Sequence, residues 1–305
     1  MSTVVTNSDL GRSIVSVYAV ITWASAVIAL VVFVGIAWVL LRFRERPGGA
    51  LPRQIRGHTL LEISWTIAPA LVLLVIALPT TKVIFRTQGP PPAGALEITV
   101  RGWQWWWEFR YPTLGVVTAN EAYVPVGQPI AIRLEGPDVI HSFWIPRMGG
   151  KRDVVPGRVN TLGFTADTPG EYWGQCAEFC GASHANMRMR LIAVSPADFE
   201  RWITQQKAPP PEPAAAAADG RAIYARSACV GCHTIRGVST GAIAPDLTHF
   251  GSRRTVAAGI LPNTVENVTK WLLDPPGLKA GAKMPALGLT EAEARAVATY
   301  LLSLE

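Results

Sequence analysis

Two long apolar runs open the chain, and after residue 95 the pattern shortens and begins to alternate. Ile14 to Leu41 is interrupted only by small polar residues and glycine, and it exceeds the length needed to cross a hydrocarbon core of about 30 Å. No basic stretch precedes it as in a signal peptide, so it reads as a membrane helix. A second run, Ile63 to Ile84, also reaches spanning length and carries Pro69, which membrane helices tolerate.

The alternating part has β-branched segments at Leu96–Val100, Ile130–Leu134, Val139–Ile145, Val159–Thr165 and Met187–Val194, parted by Gly and Pro. Short strands at this spacing predict an all-β sandwich or barrel. Pro196–Ile203 follows as a short helix with Ser195 as its N-cap. The stretch from Lys207 through the alanines is rich in Pro and Ala and reads as a semi-rigid linker. Helical patterns then recur around Gly220–Ser227, Thr264–Leu273 and Thr290–Leu304. The expected organisation is a multi-domain membrane protein: a two-helix hairpin over 1–88, an all-β domain over 89–207, a linker over 208–218 and an all-α domain over 219–305.

Charge orients this plan. Residues 1–88 hold eight Lys/Arg against three Asp/Glu, residues 89–207 hold eleven of each, and residues 208–305 hold nine against eight. The excess sits between the apolar runs, where Arg42, Arg44, Arg46, Arg53 and Arg56 face a single Glu45. Short Arg-rich loops stay in the cytoplasm, so both termini and everything after about residue 88 are expected outside, with lipid as the hairpin's surroundings. Neither soluble part interleaves a basic patch with aromatics, which speaks against nucleic-acid binding.

Candidate chemistry lies in two places. Cys176, Cys180, His184 and Met187 fall within one twelve-residue stretch, and thiolate, imidazole and thioether together select copper over hard cations. The set is nearly that of a blue-copper site, with one thiolate too many; two thiolates can bridge two metals, and His141 is the candidate second imidazole. A structural zinc site is the alternative, although zinc pairs usually have closer Cys and His spacing and would leave the Met idle. Downstream, Cys229-Val-Gly-Cys232-His233 is the attachment motif of c-type haem, with Met284 as the expected second axial ligand and His249 as the alternative. A thioredoxin-like reading of the Cys pair lacks the βαβ pattern and gives His233 no role. All four cysteines are thereby assigned, leaving none for a disulfide.

Together, His141, Cys176-x-Glu178-x-Cys180-x-x-x-His184-x-x-Met187 and the aromatic run Trp103-Gln104-Trp105-Trp106-Trp107 resemble subunit II of cytochrome c oxidase, in the bacterial variety with a fused cytochrome c domain. The resemblance covers nearly the whole chain. It implies a cupredoxin-like Greek-key barrel and a class I cytochrome c fold for the two soluble domains. It implies that Cys176 and Cys180 bridge the two coppers of a CuA centre, that His141 and His184 are terminal ligands, and that Met187 and the Glu178 carbonyl are weaker ones. The Glu178 carboxylate would help hold magnesium at the boundary with subunit I. Trp105 would receive electrons, with Trp106 standing where a Tyr is more usual; core and interface packing is the plainer role for both. Glu62 would mark the mouth of a proton pathway, or serve as an interfacial anchor near Arg56.

The implied function is the electron-input subunit of a haem–copper oxygen reductase in a bacterial cytoplasmic membrane, partnered by subunits I and III and coupled to proton translocation. The external donor would be a cytochrome c or a quinol–cytochrome c reductase-like complex. The segment after the aromatic run, Glu108-Phe-Arg110-Tyr-Pro, is not acidic as it commonly is where a soluble cytochrome c docks. A tethered donor needs no diffusional steering, since the linker supplies effective concentration. Two rivals share these modules: the equivalent subunit of a copper-containing nitric oxide reductase, and a membrane-tethered electron-transfer protein without an oxidase.

Overall fold

The computed structural model describes residues 2–44, 47–49 and 54–305; Glu45, Arg46 and Arg53 of the basic loop lie outside the described residues. It divides into a helical unit, residues 12–89, and a second unit formed by residues 90–305 with residues 1–11.

Helix α1 spans Asp9–Arg42 and α2 spans Thr59–Gln88. Both outrun the apolar segments, because a helix continues through polar residues that satisfy its ends. Asp9 and Arg42 lie at the α1 termini that suit their charges, and the His58 ring accepts from Leu61 N at the start of α2. Pro79 as well as Pro69 is accommodated inside α2. The apolar side chains point outward, Leu41 and Phe33 among the most exposed. A helix apolar on every exposed side needs lipid around it.

The β part is a sandwich of two five-stranded sheets. One has the order β3 (Val116–Ala119), β2 (Trp106–Tyr111), β1 (Leu96–Trp103), β5 (Pro129–Glu135), β8 (Asn160–Thr165). The other runs β4 (Glu121–Pro125), β10 (Arg188–Val194), β9 (Gly170–Cys176), β6 (His141–Trp144), β7 (Arg152–Val154). The parallel pairs β1–β5 and β4–β10 amid antiparallel neighbours are the crossovers of a Greek-key arrangement. In β5 the buried positions are Ile130, Ile132 and Leu134, the period of two that the sequence announces. Half of the strands carry no such signal. β2 buries three successive residues, Trp107, Glu108 and Phe109, β7 has only three residues, and the inward face of β9 includes Gly174, which carries no apolar side chain to mark it.

Residues 7–9 are stitched to this sandwich: Asn7 N donates to Arg147 O at 2.9 Å, and Asp9 Oδ1 accepts from Thr165 N at 2.7 Å. Helix α3 (Pro196–Lys207) closes one end, with Ser195 accepting from Asp198 N as its cap and Trp202 stacked on Tyr123 at 4.6 Å.

The helical part begins earlier than the composition suggests. Helix α4 spans Ala215–Arg226, so most of the alanine run is helix rather than linker; alanine is the strongest helix former. α5 (Cys229–Cys232), α6 (Val265–Leu273), α7 (Pro275–Leu278) and α8 (Glu291–Leu302) follow, and α8 opens on a capping box between Thr290 and Glu293. Gly220 lets α4 approach α8 closely: a Cβ there would stand 2.0 Å from Ala296 O. The short remaining linker is strapped at its start. The Arg236 guanidinium donates to the carbonyls of Gln206, Lys207 and Ala208 at 3.1, 2.7 and 2.9 Å, capping the C-terminus of α3.

Candidate metal and haem centres

Strand register brings the soft ligands together. Along β9 the inward positions are Tyr172, Gly174 and Cys176, so Cys176 is the last inward residue before the chain turns. β10 pairs antiparallel with β9 and starts with Arg188 opposite Gln175. Residues 177–187 therefore form the connection of an antiparallel pair, and Met187 returns beside Cys176, whose N–H donates to Met187 O at 2.9 Å. Gly181, at φ +113°, and a 3-10 turn over His184–Asn186 fold the loop inward. β6 lies on the other side of β9 with Phe143 opposite Cys176, and His141 shares the inward face of Phe143 two residues earlier.

The resulting geometry has two halves. The sulfurs of Cys176 and Cys180 are 3.8 Å apart. On the Cys176 side stand His141 Nδ1 at 3.9 Å and the Glu178 carbonyl at 3.2 Å. On the Cys180 side stand His184 Nδ1 at 3.6 Å and Met187 Sδ at 3.9 Å. Two imidazoles and two weak donors thus surround the sulfur pair, enough for one of each on either metal of a thiolate-bridged copper pair. Cys176, Cys180, His141 and Met187 are buried, and Glu178 and His184 are half-exposed. A single zinc would use two sulfurs and two imidazoles and leave Met187 and the carbonyl without purpose. The donor set fits dinuclear copper.

Charge supports the same use. The Cys180 thiol beside it, with His141 adding to the effect, holds Cys176 well below the ordinary thiol range. Its neighbour and burial push Cys180 upward. The pair thus shares a thiolate before any metal arrives.

Asp138, which sequence alone does not mark out, is a candidate site residue. Its Oδ1 lies 2.9 Å from His141 Nε2, while Oδ2 accepts from Gln104 N at 2.7 Å. Burial pulls the His141 imidazole down, but the Asp138 carboxylate and the Cys176 sulfur outweigh it and the net shift is upward. An acceptor at Nε2 fixes the tautomer that leaves Nδ1 free for metal. We expect Asp138→Asn to weaken copper binding about 10- to 100-fold, the usual effect of removing such a partner. Chelator competition on the holoprotein would measure it, with the haem bands unchanged. The only cue in the sequence is an Asp three residues before a His, too common to single out.

The haem candidates also assemble. Cys229 and Cys232 bound the single turn of α5, and His233 follows in extended conformation. His233 Nδ1 lies 2.7 Å from Pro245 O, which leaves Nε2 available, and burial lowers the imidazole's pKa, favouring the neutral ring that binds metal. Pro245 therefore lies on the His233 side. Met284, Leu287 and Leu289 are partly buried against the core of this domain along with Val230 and Val238, an apolar cradle suited to a macrocycle. His249 is engaged elsewhere: its two ring nitrogens face Glu305 O at 3.0 Å and Ala208 O at 3.1 Å.

Of the remaining candidates, Trp105 sits against the copper loop, its Nε1 donating to Cys180 O at 3.0 Å. It is 9 % exposed; the covering comes from Gly281, where an added Cβ would stand 2.8 Å from Trp105 Cη2. Trp106 is half-buried and stacks on Trp103 at 6.1 Å. The Glu178 carboxylate is exposed beside Lys151 at 3.6 Å. Glu62 is an exposed residue in the first turn of α2, within the helical unit.

Comparison with known proteins agrees in all three parts. The family model of the cytochrome c oxidase subunit II transmembrane domain matches residues 8–83, that of its periplasmic domain residues 113–194, and that of cytochrome c residues 217–305. Cytochrome c oxidase subunit 2 of Alkalihalophilus pseudofirmus is 38% identical over 288 residues, covering 92% of this chain and 84% of that protein. The subunit 2 of Bacillus sp. PS3 is 35% identical over 286 residues, covering 86% and 80%. Quinol oxidase subunit 2 of Bacillus cereus is 31% identical over 203 residues, covering 63% and 70%. The chain belongs to the cytochrome c oxidase subunit II family, as the subunit of a haem–copper oxidase that carries a cytochrome c domain.

Proposed function

We propose that this chain is the electron-input subunit of a haem–copper oxygen reductase, passing electrons from its own haem c to a dinuclear copper centre and on to haem in subunit I, coupled to proton translocation. The family implies CuA copper, the cytochrome c domain implies haem c, and subunit I is the partner that family membership entails. When bound, each group would supply a one-electron carrier.

The chain's own residues set the scene for that transfer. Cys176 and Cys180 with His141, His184, Met187 and the Glu178 carbonyl would hold copper, and Cys229, Cys232, His233 and Met284 would hold haem. Trp105 lies between them in the fold: its indole N–H reaches Cys180 O, and its far edge meets Gly281, three residues before Met284. This placement is the observation that carries the proposal. Phe179, next to Cys180, is 78 % exposed, an apolar side chain at the copper loop that suits burial against subunit I. The Glu178 carboxylate would then complete a magnesium site at that boundary, and Glu62 would stand at the cytoplasmic mouth of a proton pathway.

The stitching of residues 7–9 to the sandwich supports a topology with the N-terminus, copper and haem on the same outer side. The intact ligand set favours cytochrome c over quinol as the upstream reductant class. Metal analysis and electron paramagnetic resonance of the purified holoprotein test the reading. The expected result is about two coppers sharing one unpaired electron and one covalent haem, following from the donor sets. One copper, or zinc, would overturn it.

A further inference from the structure

Two buried charges join the copper and haem domains, and neither belongs to a metal site. Glu121, on β4 of the sandwich, is 2 % exposed. Its carboxylate accepts from Arg254 N at 3.0 and 3.1 Å, from Thr255 N at 2.9 Å and from Thr255 Oγ1 at 2.7 Å. Every one of those donors comes from the haem domain. Lys279, in the haem domain, is 4 % exposed and donates to Trp105 O at 2.6 Å and to Ala257 O at 3.2 Å. Burial pushes its pKa down to about 7. A buried charge is tolerated only where its hydrogen bonds are made, so each of these groups demands that the other domain be in place.

The surrounding contacts have the same sense. Ser183 Oγ donates to Ala280 O at 2.6 Å, Arg188 N donates to Ala258 O at 3.2 Å, and Arg254 pairs with Glu171 at 2.5 Å. Gly281 adopts φ +74° and leaves room for the Trp105 ring. The segment 279–281 therefore lies on Trp105 and on the copper loop in one register.

We propose that Glu121 and Lys279 are positioning residues that lock the haem domain onto the copper domain, closing Trp105 to any donor but the fused one. The proposal rests on the electron-input reading and deepens it: proximity comes from a docked interface of defined geometry rather than from the tether alone. An external donor then reduces the haem, and the copper only through it.

The test uses the full-length chain in its purified oxidase complex. Lys279→Met keeps the length of the side chain without its donors, and Glu121→Leu keeps the volume without acceptors. In wild type the Thr255 amide should be protected from hydrogen exchange; Glu121→Leu should speed its exchange at least tenfold. Either variant should slow haem-to-copper electron transfer after photoreduction at least tenfold, with the haem spectrum and copper resonance intact. Wild-type exchange at Thr255 together with wild-type transfer rates in both variants would overturn the proposal. Should one variant lose its cofactor spectrum, the other decides, since the two residues lie in different domains. If wild type lacked the dinuclear copper signal, the electron-input reading would fail, while exchange at Thr255 would still report the docking.

Discussion

Cys176→Ser should leave the holoprotein without its shared-electron copper signal, with copper falling from about two per chain to one or none and oxygen uptake by the complex abolished. The serine hydroxyl is a hard, weakly acidic donor that cannot replace a bridging thiolate for a soft metal. Cys176 is also the residue to which both halves of the site refer. Cys180 lies 3.8 Å away, His141 3.9 Å and the Glu178 carbonyl 3.2 Å. Losing it removes one of the two thiolates and leaves His141 and the Glu178 carbonyl without the sulfur beside them. The haem spectrum should persist, because none of the haem-holding residues lies in this loop. Retention of two coppers with a shared electron would show that the bridging assignment is mistaken.

Gly220→Val is the counterpart for the haem domain. A Cβ at this position would stand 2.0 Å from Ala296 O and 2.6 Å from Ala296 C, and main-chain atoms inside α8 cannot yield as a side-chain tip would. Overpacking of this kind costs about 3 kcal/mol, a large part of the roughly 5–15 kcal/mol that holds a domain together. The expected result is poor haem attachment and a lowered thermal midpoint in the haem bands, while the copper resonance of the sandwich survives. An unchanged midpoint would show that α4 and α8 do not need this close approach.

Much of the molecule was legible from local pattern. Long apolar runs, alternation in β5, the spacing of the copper ligands and the Cys-x-x-Cys-His motif each carry their meaning within a few residues. What escaped depends on partners distant in sequence. Glu121 is buried in a strand, where an acidic residue argues against a core strand, because its partners, Arg254 and Thr255, lie more than 130 positions away. Asp138 becomes a histidine-orienting group only once the turn ahead of β6 is folded. Lys279 reads as a solvated charge until Trp105 O, 174 positions away, is seen to accept from it. Trp105 itself was singled out, but its burial was not, since the covering glycine belongs to another domain. The alanine run departs from expectation for the opposite reason: the prolines before it point to a linker, and alanine's own helix propensity prevails from residue 215.

The Arg236 strap over the end of α3 has a kinetic consequence. Three carbonyls at the start of the linker are held by a guanidinium of the haem domain, so little free chain remains between the two carriers. On the proposed electron-input reading, delivery of an electron to copper would be a first-order event within one molecule, with a rate indifferent to how much carrier the compartment contains. Salt weakens encounters between separate charged proteins over a Debye length of about 8 Å at physiological ionic strength, but it has little purchase on partners already in contact. Sensitivity to ionic strength should therefore reside in the step that reduces the haem, leaving the internal step constant while the membrane's supply of reductant rises and falls.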